Sequence, residues 1–212
     1  MKFYDCKTAP SPRRARIFIA EKGLAQGTIE NVEVDLGKQE QLGEAFRKIN
    51  PRCTVPVLEL DDGTCLTENA AIAAYLEALA PDPPLLGRTP EEKGLIANWN
   101  ARAELEGLWP VADAFRNRTK AMAHRAITGP TNYEQIPELA ERGHARGVEF
   151  FEVLNARLGE SEFLAGDTFS AADITAFVLV DFSAWVKLGP TDAHTHTQRW
   201  HASIKQRPSA AL

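Results

Sequence analysis

Cysteine is scarce in this chain. Cys6, Cys53 and Cys65 are all there is in 212 residues. Their number is odd and no C-x-x-C spacing occurs, which argues against a disulfide framework and for free thiols in a reducing cytoplasm. Long apolar runs are missing too. No stretch approaches the ~18 residues that a membrane-spanning helix needs. The start, MKFYDCK, has no charged region followed by an apolar core, so no secretory leader is expected. Basic runs are also absent, and the formal net charge of -5 argues against nucleic acid as the main partner. Metal-ligand spacing is confined to His194-x-His196 with Asp192. No further ligands stand at a recognisable distance, so this reads as a polar loop and no metal is expected. No internal repeat or low-complexity segment is evident.

What is there is ordinary soluble-protein composition, 44% hydrophobic and 25% charged. A chain of this length buries a core without metals or disulfides. The first ~80 residues read as β-α-β-α-β-β-α. Lys2 to Asp5 is a short strand and Cys6 to Pro12 a loop. A helix follows, with Arg13 near its start and Gly23 and Gly27 at its stop. Ile29 to Val34 alternates and is β-branched, as a strand does. Gln39 to Ile49 spaces Leu42, Ala45, Phe46 and Ile49 as a weak helix. Val57 to Leu60 and Thr64 to Thr67 flank Asp61-Asp62-Gly63, a hairpin signal. Ala70 to Leu79 puts Ile72, Tyr75, Leu76 and Leu79 on one helix face. Pro81-Asp82-Pro83-Pro84 then breaks the pattern as a stiff linker.

Beyond the linker only helices are expected. Thr89-Pro90-Glu91-Glu92 combines an N-cap, a proline at the first helical position and acids in the first turn. That long helix carries Leu95, Ile96, Trp99, Ala103, Leu105, Leu108 and Trp109, and Pro110 should kink or interrupt it. Further helices are expected at 137–158, 171–187 and 198–206. Ser170-Ala171-Ala172-Asp173 is a capping box with Asp in the Glu position, and Phe169 and Ile174 stand at the staple positions. The expected plan is a small α/β domain over 1–80, a linker over 81–89 and an all-helical domain over 90–212.

The window Arg52 to Asn69 concentrates the chemistry. Pro56 cannot donate to a sheet ladder and belongs at a strand start or edge. Glu68-Asn69 opens a helix, where unpaired amides and the positive dipole end favour an anion. An exposed strand edge and an anion cradle therefore lie within one short stretch.

TVPVL followed by the hairpin and TEN, together with SPRRARIFIAEKG near the start and FLAGDTFSAADIT late in the chain, resembles the cytosolic glutathione S-transferase family. The resemblance covers nearly the whole chain. The segment TPEEKGLIANWNARAELEGLWPVADAF is similar to a bacterial and fungal subgroup without a clear-cut catalytic Ser, Tyr or Cys. The resemblance implies a thioredoxin-like N-terminal domain that binds glutathione and a helical C-terminal domain that shapes an electrophile site in a cleft between the domains. It also implies a homodimer, with glutathione as co-substrate and no other cofactor. Pro56 matches the family's cis-proline, and Val55 would pair its backbone with the cysteinyl part of the peptide. Glu68 would bind the γ-glutamyl amino group. Asn69, where relatives carry Ser, would hold the γ-glutamyl carboxylate. Gln41 stands where relatives often have a His on the glycine carboxylate, and it reads equally as a surface residue. Arg13 adds positive potential to the site or faces solvent.

The catalytic position is left open. The loop that carries Tyr, Ser or Cys in relatives is Lys7-Thr8-Ala9-Pro10-Ser11-Pro12 here. Ser11 is either the thiol-activating hydroxyl or a helix-capping residue. Asn117 stands where a His that assists the thiol is expected. Trp109, Asp113 and Arg116 line the electrophile site or are merely faces of an amphipathic helix. Two functions remain at this stage. One is a transferase joining the glutathione thiolate to small hydrophobic electrophiles, with isomerase or dehalogenase chemistry as variants. The other is a non-catalytic ligand- or partner-binding protein of the same fold.

Overall fold

The computed structural model describes residues 1–25 and 27–212. The chain divides into two compact units. The first comprises Met1–Pro83, Thr128–Thr131 and Leu212. The second comprises Pro84–Ile127 and Asn132–Ala211.

The first unit holds a four-stranded sheet in the order β2-β1-β3-β4, built from β1 (Lys2–Asp5), β2 (Glu30–Glu33), β3 (Val57–Glu59) and β4 (Cys65–Leu66). β1 pairs with β2 in parallel and with β3 antiparallel, and β3 pairs with β4 antiparallel. Three helices join it, α1 (Pro10–Glu21), α2 (Glu44–Ile49) and α3 (Asn69–Leu79). Successive strand side chains face opposite ways, and the register uses this. Tyr4 lies opposite Val57, and both enter a cluster with Val34 and Phe46. Phe3 lies opposite Leu58, and both are buried. The mixed sheet with its helices is a thioredoxin-like domain, and the order of elements is the one the sequence patterns predict.

Two of the helical stretches in this unit differ from expectation. α1 begins at Pro10 rather than after Pro12. A proline's missing N–H costs nothing in the first turn, so Ser11 is a helical residue. The stretch from Gln39 to Ile49 is not one helix. Gln39 is left-handed at φ 61°, Gly43 is extended, and a 3₁₀ turn (Glu40–Leu42) precedes α2.

The second unit is helical. A continuous helical run contains α4 (Pro90–Arg102), a π-helical turn (Ala103–Leu108) and α5 (Trp109–Arg116), and is followed by α6 (Pro137–Glu160), α7 (Ala171–Ser183) and α8 (Thr195–Ile204). The expected disturbance at Pro110 takes the form of this π turn. The Trp109 N–H bonds Glu104 O, five residues back. The wider turn accommodates a residue that has no N–H and whose ring crowds the carbonyl four residues before it. Two glycines admit close packing here. A Cβ on Gly107 would lie 2.4 Å from the Leu179 side chain, and one on Gly143 would lie 2.4 Å from the Pro110 carbonyl oxygen.

α7 is the centre of this unit. Every residue of it except Asp181 is buried, as expected of a helix packed on all sides. The helix stops at Ser183 rather than near 187. A 3₁₀ turn (Ala184–Val186) follows and Lys187 turns left-handed at φ 60°. Ser170 and Asp173 form the expected capping box. The final helix starts earlier than predicted, at Thr195, with His194 as its N-cap.

Candidate functional site

In the first unit the Val55–Pro56 peptide is cis. Val55 is half-buried, and neither its N–H nor its carbonyl has a partner among the described residues. An extended ligand could pair with this free edge. The loop leading to it is fixed by a residue that sequence patterns did not single out. Asn50, 1% exposed, donates from Nδ2 to Thr54 O (2.8 Å) and Thr54 Oγ1 (3.0 Å), and its Oδ1 accepts the Arg52 N–H (2.9 Å). Cys53, between them, is left-handed at φ 55° and buried. The one available signal was an Asn followed by Pro just after a predicted helix.

The start of α3 supplies the second element. Glu68 is its N-cap, is exposed, and makes no side-chain capping bond. Asn69 is the first helical residue, so its N–H and those of Ala70 and Ala71 have no intrahelical acceptor. The Asn69 side chain turns to α1, where Nδ2 donates to Ser11 Oγ at 3.0 Å. Its Oδ1 is shielded from solvent and has no partner among the described residues. Ser11 and Asn69, 58 positions apart, thus meet at the first turns of two helices.

The β1–α1 loop is held from below. Arg16 Nη1 donates to Asp5 Oδ1 (2.5 Å) and Cys6 O (3.3 Å), and Nη2 to Lys7 O (3.0 Å). Burial pushes the Asp5 carboxyl up, and the Arg16 guanidinium draws it back. The Lys7 N–H bonds the Glu33 carboxylate. Tyr4, in the strand that leads into this loop, is unsuited to activating a thiol. Its hydroxyl donates to Glu59 at 2.6 Å, and burial, that bond and the Glu59 charge push its pKa up to about 12. Thr8 is exposed on the loop, with Oγ1 3.6 Å from Cys6 Sγ.

Gln41 is 8% exposed, not a surface residue, and its Oε1 has no partner among the described residues. Arg13 Nε donates to Leu212 O at 2.8 Å. Cys6, Cys53 and Cys65 are free thiols.

In the second unit Asn117 is 5% exposed and tied to backbone at both ends. Nδ2 donates to Asp113 O (3.1 Å), and Oδ1 accepts the N–H of Ile136, the N-cap of α6 (3.0 Å). Its amide therefore closes α5 and joins it to α6, which is a structural task. Arg116 is similarly engaged, donating to Ala126 O and Arg125 O. Burial pushes the Asp113 carboxyl up, opposed by Arg142 and Arg146. Trp109 is 52% exposed. His194 accepts the Thr191 N–H at Nδ1 (2.9 Å), so its Nε2 carries the proton that meets Glu152 Oε1 at 3.1 Å.

The first unit is thus a thioredoxin-like domain with an unpaired edge at a cis-proline and an open helix N-terminus, and the second unit is all-helical, which is the two-part plan of one fold class. Comparison with known proteins makes this particular. Residues 8–79 match the family model described as glutathione S-transferase, N-terminal domain, and residues 120–208 match glutathione S-transferase, C-terminal domain. Glutathione S-transferase 2 of Saccharomyces cerevisiae is 38% identical over 210 residues, covering 99% of this chain and 87% of that protein. The crystal structure of Gtt2 from Saccharomyces cerevisiae superposes with a TM-score of 0.90 at 38% identity, covering 100% of this chain and 99% of that one. A glutathione S-transferase domain-containing protein of Marinobacter aquaeolei gives a TM-score of 0.91 at 38% identity, covering 99% and 100%. The chain belongs to the glutathione S-transferase family, and it is a glutathione transferase.

Proposed function

We propose that the chain binds glutathione as an extended strand along Val55–Pro56, anchors its α-amino acid end at Glu68 and Asn69, and presents the ionised thiol to small hydrophobic electrophiles. The carrying observation is that two unused recognition elements lie in one unit. They are the free backbone edge of Val55 and the open N-terminus of α3 beside an exposed, unengaged Glu68. A glutathione molecule has the matching parts: an extended peptide with a free ammonium and carboxylate at one end. Gln41 Nε2 is the donor available for the glycine carboxylate, with Arg13 adding positive charge.

The reaction is nucleophilic attack by the glutathione thiolate. The thiol proton passes to solvent, and the sulfur lone pair forms the new carbon–sulfur bond. In a displacement the leaving group departs with its bonding pair. In an addition the resulting carbanion takes a proton from water. Lowering a thiol pKa from about 8.5 to about 6.5 requires roughly 2.7 kcal/mol. A helix N-terminus supplies up to about 2 kcal/mol, and one charge-assisted hydrogen bond about 1.5–3 kcal/mol. The positive end of α1 and one hydroxyl of the β1–α1 segment, Thr8 or Ser11, are therefore enough. Trp109, Asp113 and Arg116 are the residues assigned to the electrophile side, with Trp109 offering the apolar surface. A detoxifying role in the cytoplasm, as a homodimer, goes with this reading, and the free thiols suit a reducing compartment.

Calorimetry with glutathione, together with the ultraviolet absorbance of the bound thiolate against pH, tests it. Binding with a thiol pKa well below the free value is expected. Tight binding without a pKa shift would instead leave a non-catalytic glutathione-binding protein, a reading favoured by the structural engagement of Asn117. No binding would remove the roles given to Glu68 and Asn69.

A further inference from the structure

Resting on the glutathione reading above, we propose that the Ser11 hydroxyl belongs to the γ-glutamyl end of the site, where it selects for the α-carboxylate, and does not serve the thiol.

The observation is the 3.0 Å bond from Asn69 Nδ2 to Ser11 Oγ. Ser11 Oγ acts as the acceptor in this bond, so its single proton points elsewhere. The Asn69 amide has one more N–H to offer, and the first backbone amides of α3 are unpaired beside it. These donors mark where an anion sits. An oxygen hydrogen-bonded to the same amide lies within about 5 Å of that anion, and a hydroxyl in that position donates to the carboxylate. The cysteinyl sulfur of an extended glutathione is about 8 Å further along the peptide, at the Val55 edge. Within the β1–α1 segment, Thr8 is the hydroxyl left for that end.

A second observation concerns the neighbouring ligand group. Among the described residues Asn69 Oδ1 is shielded and unpartnered, and as an acceptor it matches the γ-glutamyl ammonium of the same end, not the carboxylate. A buried acceptor without a donor is destabilising, so fold stability gives no reason for an amide here. The Asn69 amide has its anchor in Ser11, and the pair forms one recognition unit. A serine at position 69, as in relatives, has a shorter side chain and lacks the second donor.

The test compares two peptides, glutathione and the analogue with γ-aminobutyryl in place of γ-glutamyl, which lacks the α-carboxylate alone. Ser11→Ala should weaken glutathione binding by about tenfold to a hundredfold, the range for one hydrogen bond to a charged group. It should leave affinity for the analogue and the pKa of the bound thiol unchanged. Ser11→Thr, which keeps the hydroxyl, should retain the discrimination of the wild type. The proposal is overturned if Ser11→Ala weakens both peptides equally. It is also overturned if the bound-thiol pKa rises while affinity holds, which would make Ser11 the thiol's donor. Failure of the wild type to bind glutathione would overturn the underlying reading itself, and calorimetry reports that separately.

Discussion

Replacing Asp173 by alanine should remove a large fraction of the stability of the helical unit. The carboxylate is fully buried and accepts four hydrogen bonds: from the Leu164 N–H (3.0 Å), the Ser170 N–H (3.0 Å), the Ser170 hydroxyl (2.9 Å) and Trp200 Nε1 (2.9 Å). Leu164, Ser170 and Trp200 are each 0% exposed. Alanine leaves three N–H donors without an acceptor, while the hydroxyl can rotate. At about 1–3 kcal/mol for each orphaned donor, partly relieved by a water entering the space, the net loss is about 4 kcal/mol. Domains are stable by about 5–15 kcal/mol, so this is a large fraction. Asp173→Asn preserves the acceptor for Leu164 and Trp200 but turns an NH₂ toward Ser170, and should lose about 2 kcal/mol. Urea unfolding followed by circular dichroism measures both. The pH dependence offers a further check. Burial raises the Asp173 carboxyl above 3.8 despite its four donors. The native state therefore holds this proton more tightly than the unfolded chain, and its contribution to stability falls as pH rises from near 3.8 through the folded value. The asparagine variant should lose that slope. An alanine variant within about 1 kcal/mol of wild type would refute the reasoning, because it would mean the three donors find other partners.

Asn50→Ala should destabilise the first unit by about 2 kcal/mol, since Thr54 O and the Arg52 N–H lose a buried partner; it should also weaken glutathione binding measured by calorimetry, because the loop entering Val55 loosens. Asn117→Ala should lower the melting temperature but leave the bound-thiol pKa unchanged, and a pKa rise would return this residue to the catalytic list. Thr8→Val should raise the pKa of bound glutathione by about one unit, read from thiolate absorbance, with little change in affinity at low pH. Glu92 accepts the Arg88 and Thr89 N–H groups, which hold its carboxyl below the usual 4.5; its capping contribution should be complete above that value and lost as pH falls through the lower folded one, which an NMR titration of its side chain would follow.

The order of elements was readable because local signals agreed. Alternation over Ile29 to Val34, the Asp-Gly turn and the Thr89 and Ser170 caps each act within a few residues. Boundaries failed where a local rule has two outcomes. Two prolines flank Ser11, and they read as loop although Pro10 is an ideal first helical residue. The site was less readable because its contacts span the chain. Nothing near Ser11 announces a bond to Asn69, and nothing near Asn117 announces that Ile136 needs an acceptor. The residue pattern puts Glu68 and Asn69 at a helix start and the resemblance gives them a ligand, but neither says where the Asn69 side chain turns. Asn50 was missed altogether, since an Asn before a Pro reads as an ordinary turn.

The unsatisfied buried groups show what the structure keeps for something other than stability. In the helical unit the buried polar side chains are matched: Asp173 by four donors, Asn117 at both ends, and Thr175 by Asn100 at 2.6 Å. Among the described residues, the shielded side-chain atoms without a partner fall in the first unit: Arg16 Nε, Gln41 Oε1 and Asn69 Oδ1. Glu77 Oε2 is accounted for by the ion pair with Lys22. Each orphan costs about 1–3 kcal/mol if it stays unsatisfied, so their clustering needs a cause. Gln41 and Asn69 are two of the residues that the family resemblance, on sequence motifs alone, assigns to glutathione. Arg16 holds the loop in which relatives keep the thiol's activator. Both orphaned oxygens are acceptors, so a carboxylate does not satisfy them; the groups of glutathione that can are its N–H donors, the γ-glutamyl ammonium and the peptide N–H groups. A protein folded only for stability would have replaced an 8%-exposed glutamine by leucine or methionine. A protein folded to close on a peptide has reason to keep it.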